Sequence, residues 1–369
     1  MQITKEQEPR QNFLQLKANP AQSGSMALKT VNPLEISQWN QLVLNTPGHT
    51  IFHTKNWAQV LMDTYSYNPY YIVSQESDRF NVLTPLMEVN SKFTGIRGIC
   101  LPFSDYCNPI IDEHVDHREV YEQINTLGRQ LNWNFIEFRG EGIQHRSISS
   151  ESLCYRHVLS LEGGEAQVRS RLRNNYRRKI KKALNSGAKV EIYRTRNAIK
   201  EYYRLHCLTR KKHGLPPQPF QFFENIYRHI IREDLGFVVL ASYQNKYIAG
   251  AVYFHFGDQV IYKFGASDTE FLHIPTNFLV MWNAIEWSCK SGYKTFCFGK
   301  TEPSNTGLVQ YKDGWGAEKQ DVKYTRNVLK LSDTQQSEKK SDKTSYAIFR
   351  KMPLPVLKMA GNLMYRHVA

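Results

Sequence analysis

Residues 296–318 read FCFGKTEPSNTGLVQYKDGWGAE, and the reading of this stretch decides the fold. Phe296-Cys297-Phe298 has the apolar character of a short buried strand, and Gly299 is placed to break it. Pro303, Ser304 and Asn305 are turn residues. Gly307, Gly314 and Gly316 free the backbone where it must bend or approach another group closely. Lys300, Lys312 and Trp315 are long side chains on what reads as an irregular loop after a strand, a common place for a site. The plain alternative is a glycine-rich surface connection whose lysines are there by chance.

Upstream of this stretch the chain repeats a unit. Strands are expected at Phe237 to Ala241, Tyr247 to Phe256 and Gln259 to Gly265, followed by a helix with Phe278, Trp282, Ile285 and Cys289 on one face, then the strand at 296–298. An earlier copy has strands at Tyr71 to Val73, Phe80 to Val89 and Gly98 to Leu101, a helix with Val120, Ile124, Leu127 and Leu131 on one face, and a strand from Phe135 to Phe138. Both helical stripes have offsets of 0, 4, 7 and 11. An antiparallel meander followed by a helical crossover is an α+β (α/β) arrangement. Two such units predict a tandem duplication with a ligand cleft between similar halves.

The 369 residues are enough for about two domains. A hydrophobic content of 41% and an aromatic content of 12% exclude a disordered chain. The net charge of +14 favours anionic partners without choosing among nucleic acid, a phosphate-bearing donor and a membrane face. The six cysteines are scattered with no CxxC spacing, so no metal site is expected, and they read as buried thiols in a cytoplasmic protein. No apolar run reaches membrane-spanning length. The expected organisation is a disordered tail at 1–30, a first domain at 31–160, a second, catalytic domain at 161–331, and a linker with an amphipathic tail at 332–369.

Val168 to Lys182, VRSRLRNNYRRKIKK, reads as one amphipathic basic helix stopped at Gly187. From Arg169 to Lys182 eight of fourteen residues are basic and none is acidic. That pattern predicts anion binding, in which Arg173, Arg177, Arg178 and Lys182 clamp phosphates; a solvated face or a nucleic-acid-binding helix are the alternatives. A second helix, about Ala198 to His213, ends in a basic run that includes Lys211. The tail from Tyr346 mixes apolar and basic residues, with Pro353 and Pro355 breaking any long helix. It suits either packing onto the body or lying on an anionic inner-membrane surface.

The quoted stretch resembles the loop near the end of the catalytic domain in FemAB-related N-acyltransferases, through Phe298-Gly299-Lys300-Thr301, Asn305-Thr306-Gly307-Leu308, Tyr311-Lys312 and Trp315-Gly316-Ala317. Asn175 to Ala183 and Thr209 to Pro216 are similar to further motifs of that group. The resemblance spans roughly Pro33 to Leu331. It implies two tandem GNAT-like domains, each a mixed, mostly antiparallel sheet flanked by helices. It also implies transfer of an acyl or aminoacyl group to an amine, often of a cell-envelope or exopolysaccharide precursor, with Lys312 near the substrate or the reacting carbonyl. No cofactor is tightly bound; the donor is acyl-CoA or aminoacyl-tRNA. The long helical-hairpin arm of tRNA-dependent members is missing, which favours an acyl-CoA-type donor.

Acyl transfer needs an anion grip, a positioned amine, a proton acceptor and oxyanion donors. Thr276 and Asn277 open a helix whose N-terminus suits phosphate, although the usual glycine-rich pyrophosphate signature is absent. Asp105 is the candidate proton acceptor; as a plain turn residue it has an equally simple reading. Lys312 and Tyr262 are the other catalytic candidates. Lys211, Lys300, Asn305, Tyr311 and Trp315 are the candidates for holding substrate.

Overall fold

The computed structural model describes residues 27–140, 143, 150–330 and 343–368. The expected tail up to 26 and the linker at 331–342 lie outside the described residues.

The second unit folds as read. Strands Gly236–Tyr243, Lys246–Phe256 and Gln259–Ser267 form an antiparallel meander. Helix Thr276–Lys290 then crosses over and returns the chain as strand Thr295–Thr301, parallel to Gln259–Ser267. The first unit repeats the plan: strand Gly95–Ile99, helix His117–Gln130 and strand Phe135–Arg139, again with a parallel return. One expected strand is divided. Phe80 to Val89 is split at Pro85-Leu86 into Arg79–Thr84 and Met87–Ser91, which belong to different sheets, because proline has no N–H for the ladder.

The helix stripes differ between the copies. His117–Gln130 buries Val120, Ile124 and Leu127 as expected. Thr276–Lys290 is buried nearly all round, because strands cover one side and helices Gly164–Arg171 and Asn174–Asn185 cover the other. Those two helices replace the single basic helix predicted from Val168. The chain turns extended at Leu172-Arg173, yet Val168, Tyr176 and Ile180 still share one buried face.

Among the described residues an eleven-stranded sheet runs through both halves, beside a four-stranded sheet in the first. The halves exchange strands. Ser150–Ser160 pairs with Thr295–Thr301 of the second unit, while Glu318–Val328 pairs with Phe135–Arg139 of the first, and the two exchanging strands pair with each other. Strand Lys29–Val31 pairs antiparallel with strand Tyr71–Glu76, from Lys29↔Val73 to Val31↔Tyr71. The tail forms helices Lys343–Lys351 and Leu354–Met364, interrupted at Pro353.

A candidate acyl-transfer cleft

Strands Gln259–Ser267 and Thr295–Thr301 touch only from Gln259↔Thr295 to Ile261↔Cys297, then part. Two backbone irregularities open them. On the first strand the register with its neighbour passes from Tyr253↔Tyr262 to Val252↔Phe264, leaving Lys263 as a bulge residue. On the second, Gly299 adopts φ 69°, and the register with Ser150–Ser160 shifts between Cys297 and Lys300. The glycine expected to end the strand therefore bends it and lets it continue to Thr301. The expected irregular loop beyond is a helix, Thr306–Asp313, capped by Asn305, whose side chain accepts from the Leu308 N–H at 3.2 Å.

Between Gln259–Ser267 and the helix Thr306–Asp313 lies a cavity of about 390 Å³ lined by Gly250, Tyr253, Tyr262, Gly265, Met281, Leu308 and Tyr311, together with Thr209, Lys212 and His213. Gly265 leaves the space that the Tyr262 hydroxyl fills, since a Cβ there would overlap it and displace the ring. Burial pushes Tyr262 up to about 12, so it is a neutral hydrogen-bond donor. A second cavity of about 320 Å³ adjoins the first, sharing Ser267, Leu272, Asn277 and Phe278. It contains Thr276 and Asn277 at the start of a helix that no side chain caps, and it is flanked by Lys179 and Lys182. The Thr276 and Phe278 N–H groups already donate to the Ile274 and Pro275 carbonyls, so the pull on an anion comes mainly from the two ammonium groups; the Asp268 carboxylate, which also lines this cavity, is paired with Lys246 at 3.1 Å. Lys179 lies over the Phe278 ring at 4.4 Å.

The predicted arginines are elsewhere. Arg177 donates to the carbonyls of Arg169 (3.1 Å) and Ser170 (2.6 Å), closing the end of the preceding helix. Arg173 sits at the break between the two helices, and Arg178 is exposed and lines neither cavity. Lys182, Thr276 and Asn277 line the second cavity, and Lys212 and His213, rather than Lys211, line the first.

Behind the wall made by Leu308 and Tyr311, Lys312 turns inward and is 2% exposed. Its Nζ donates to the Gly299 carbonyl at 2.8 Å and the Lys300 carbonyl at 3.1 Å. Burial lowers it to about 8, against the opposing pull of Asp105. Asp105 comes from the first half. Its Oδ2 accepts from Lys263, the bulge residue, at 2.9 Å, and Lys263 also donates to the Phe103 carbonyl at 2.7 Å. Burial lowers Lys263 as well. The loop that carries Asp105 closes the equivalent gap of the first half, where Cys107 bridges to Arg139.

Three further candidates have structural surroundings. Trp315 is fully buried among Tyr176, Phe298 and Phe278 and belongs to the core. Lys300 pairs with Glu302 at 3.1 Å and covers the Tyr324 ring at 4.5 Å. Asn305 serves as the helix cap already described. Lys179 and Phe278 were not singled out as site residues; their signal was adjacency, one turn before Lys182 and one residue after Asn277. No group of side chains suited to a metal ion occurs among the described residues.

Residues 170–313 match the model of the acetyltransferase (GNAT) domain family, and the splayed strands lie inside that segment. The chain as a whole has the tandem GNAT-like fold, shared with FemX and with a tandem GNAT protein. FemX superposes with a TM-score of 0.63 at 13% identity, covering 81% of this chain and 97% of FemX. The C-terminal domain of a putative lysylphosphatidylglycerol synthetase from Agrobacterium fabrum gives 0.53 at 12% identity, over 75% of this chain and 88% of that one. A tandem GNAT protein from the clavulanic acid biosynthesis pathway gives 0.52 at 9% identity, over 84% and 100%. No curated protein sequence matches the chain.

Proposed function

We propose that the protein is an N-acyltransferase that moves an acyl group from an acyl-CoA-type donor to an amino group of a cell-envelope or exopolysaccharide precursor. The observation that carries this reading is the pair of adjoining cavities. One has a mostly apolar and aromatic wall and lies between the parted strand Gln259–Ser267 and the helix Thr306–Asp313; the other lies at the start of helix Thr276–Lys290 with Lys179 and Lys182 beside it. A thioester donor has the same two parts, a phosphate-bearing end and an acyl-bearing arm. In the GNAT family acyl-CoA is consumed as a substrate and is not a resident cofactor.

In this mechanism Lys182, Lys179 and the Thr276–Asn277 turn hold the donor phosphates, while Tyr311 and Leu308 wall the acyl arm. Lys312 has spent two of its three N–H donors on main-chain carbonyls. The third serves the oxygen that becomes negative as nitrogen attacks the thioester carbonyl, which it reaches when the Leu308–Tyr311 wall shifts around the bound donor. The Tyr262 hydroxyl serves as a second donor. Asp105 takes the proton released by the amine through Oδ1, to which no donor is bonded among the described residues. The thiolate leaves with a proton from solvent.

The test is release of free thiol from a panel of acyl-CoA donors in the presence of amino-sugar acceptors, with the product identified by mass spectrometry. Acceptor-dependent thiol release supports the reading, and its absence across the panel refutes it. Activity that requires aminoacyl-tRNA and disappears with ribonuclease would assign the exposed basic residues of Asn174–Asn185 to tRNA instead.

A further inference from the structure

The C-terminal helices Lys343–Lys351 and Leu354–Met364 are docked on one side and bare on the other. The inner side is built in. Leu357 is fully buried, Gly361 sits where any Cβ would overlap the Pro217 carbonyl, and the Tyr365 hydroxyl lies 2.6 Å from Arg210 Nη2. Arg97 donates to the His367 carbonyl at 2.9 Å, so the tail is tied to both halves.

The outer side is apolar and uncovered. Ile348, Val356, Met359, Leu363 and Val368 are between 45% and 70% exposed. Phe93, from a hairpin of the first half, is 82% exposed and packs edge-on against His367, extending the same face. Five cations lie between Lys343 and the last residue, Ala369: Lys343, Arg350, Lys351, Lys358 and Arg366. No acidic residue occurs there.

We propose that this face docks the protein on an anionic bilayer surface, with both helices in the headgroup layer. At 9 and 11 residues they are too short to span a bilayer, but they have the composition of interfacial helices: apolar anchors, basic neighbours and no acid. A second copy is a poor occupant, because a two-fold contact would set five cations against five. An anionic lipid surface satisfies both the apolar area and the charge. Helix Lys343–Lys351 also packs on Arg196–Lys212, whose last residue, Lys212, edges the cleft cavity. Resting on the proposed transfer reaction, this places the cleft beside an acceptor amine carried at the bilayer surface.

The test uses the full-length protein in co-sedimentation with phosphatidylcholine vesicles, with and without about 30% phosphatidylglycerol. Binding is expected only to the anionic vesicles, weakening with salt. Met359→Asp with Leu363→Asp, and separately Arg350→Ser with Lys351→Ser, should each lower the partition coefficient about tenfold or more, and Phe93→Asp should lower it from a different segment. Melting temperature and coenzyme A binding should not change, so a failure of the transfer reading leaves this result standing. Equal binding to neutral vesicles, no binding, or binding unaffected by all three variants overturns the proposal. So does a concentration-dependent dimer that the same substitutions abolish.

Discussion

Lys312→Met separates a catalytic lysine from a structural one. Methionine keeps the length of the stem and removes the charge. The fall from 10.5 to about 8 means that burial disfavours the ammonium by about 3 kcal/mol relative to the amine. Below pH 8 the native and unfolded lysines are both protonated, and the penalty is present in full. Between pH 8 and 10.5 the native lysine releases its proton first, so stability of the wild type rises with pH across that window. The substitution removes the penalty but leaves the Gly299 and Lys300 carbonyls without their donor, at about 1–3 kcal/mol each. The two effects nearly cancel at neutral pH, so melting should shift by only a few degrees.

Activity should not cancel. Loss of one oxyanion donor costs about 10²–10³ in kcat. The wild-type rate should also fall as pH rises through about 8, where Lys312 loses its proton, and that limb should vanish in the variant. Thiol release read against pH, beside thermal melts from pH 7 to 10.5, measures both. A variant that melts normally and keeps more than a fifth of wild-type kcat with an unchanged pH profile would make Lys312 a brace for the bent strand and refute the argument.

Lys179→Ala and Lys182→Ala should each raise KM for acyl-CoA several-fold with little change in kcat, with a salt dependence that the unsubstituted protein shows more steeply; isothermal titration with coenzyme A checks it. Arg177→Ala should cost about 1 kcal/mol of stability, from two uncovered helix carbonyls, and leave coenzyme A affinity unchanged. Gly265→Val should displace Tyr262 and lower activity on all donors, while melting falls by no more than a core substitution allows. Gly361→Ala should lift the C-terminal helix from Pro217 and lower the melting temperature, with increased protease cleavage after residue 343 as the readout.

Much of the fold was legible because both units bury alternating strands and a striped helix. Every strand of the second meander lies within about two residues of its reading, while its parallel return runs three residues past Phe298 because Gly299 bends the strand instead of ending it. The exchanging strands were not legible. Glu318–Val328 reads EKQDVKYTRNV, with one fully apolar inward residue, Val322, so alternation gives no signal; partners on both edges hold it in place. The basic helix was misjudged for a related reason. A four-residue spacing of Val168, Leu172, Tyr176 and Ile180 survives a break because both pieces pack on one helix. The Arg177 side chain is then spent on the break itself, and Arg173 forms the break through its backbone, neither of which charge counting reveals.

The two halves have the same plan but different tasks, and the difference lies in one loop. In each, a strand parts from its parallel return. In the second half the gap stays open because Lys263 bulges and Gly299 bends. In the first, Leu101 to Cys107 folds back into the gap, with the Cys107 N–H donating to the Arg139 carbonyl at 2.6 Å. The loop that closes one gap furnishes the other, since Asp105 crosses to Lys263 and the Tyr324 hydroxyl fixes its backbone at 2.7 Å. Tyr324 itself lies on the exchanged strand Glu318–Val328. Duplication alone would leave two similar clefts facing solvent. Strand exchange holds the halves in register, so that a side chain from a closed unit reaches the junction beside Lys312, and neither half contains the whole constellation.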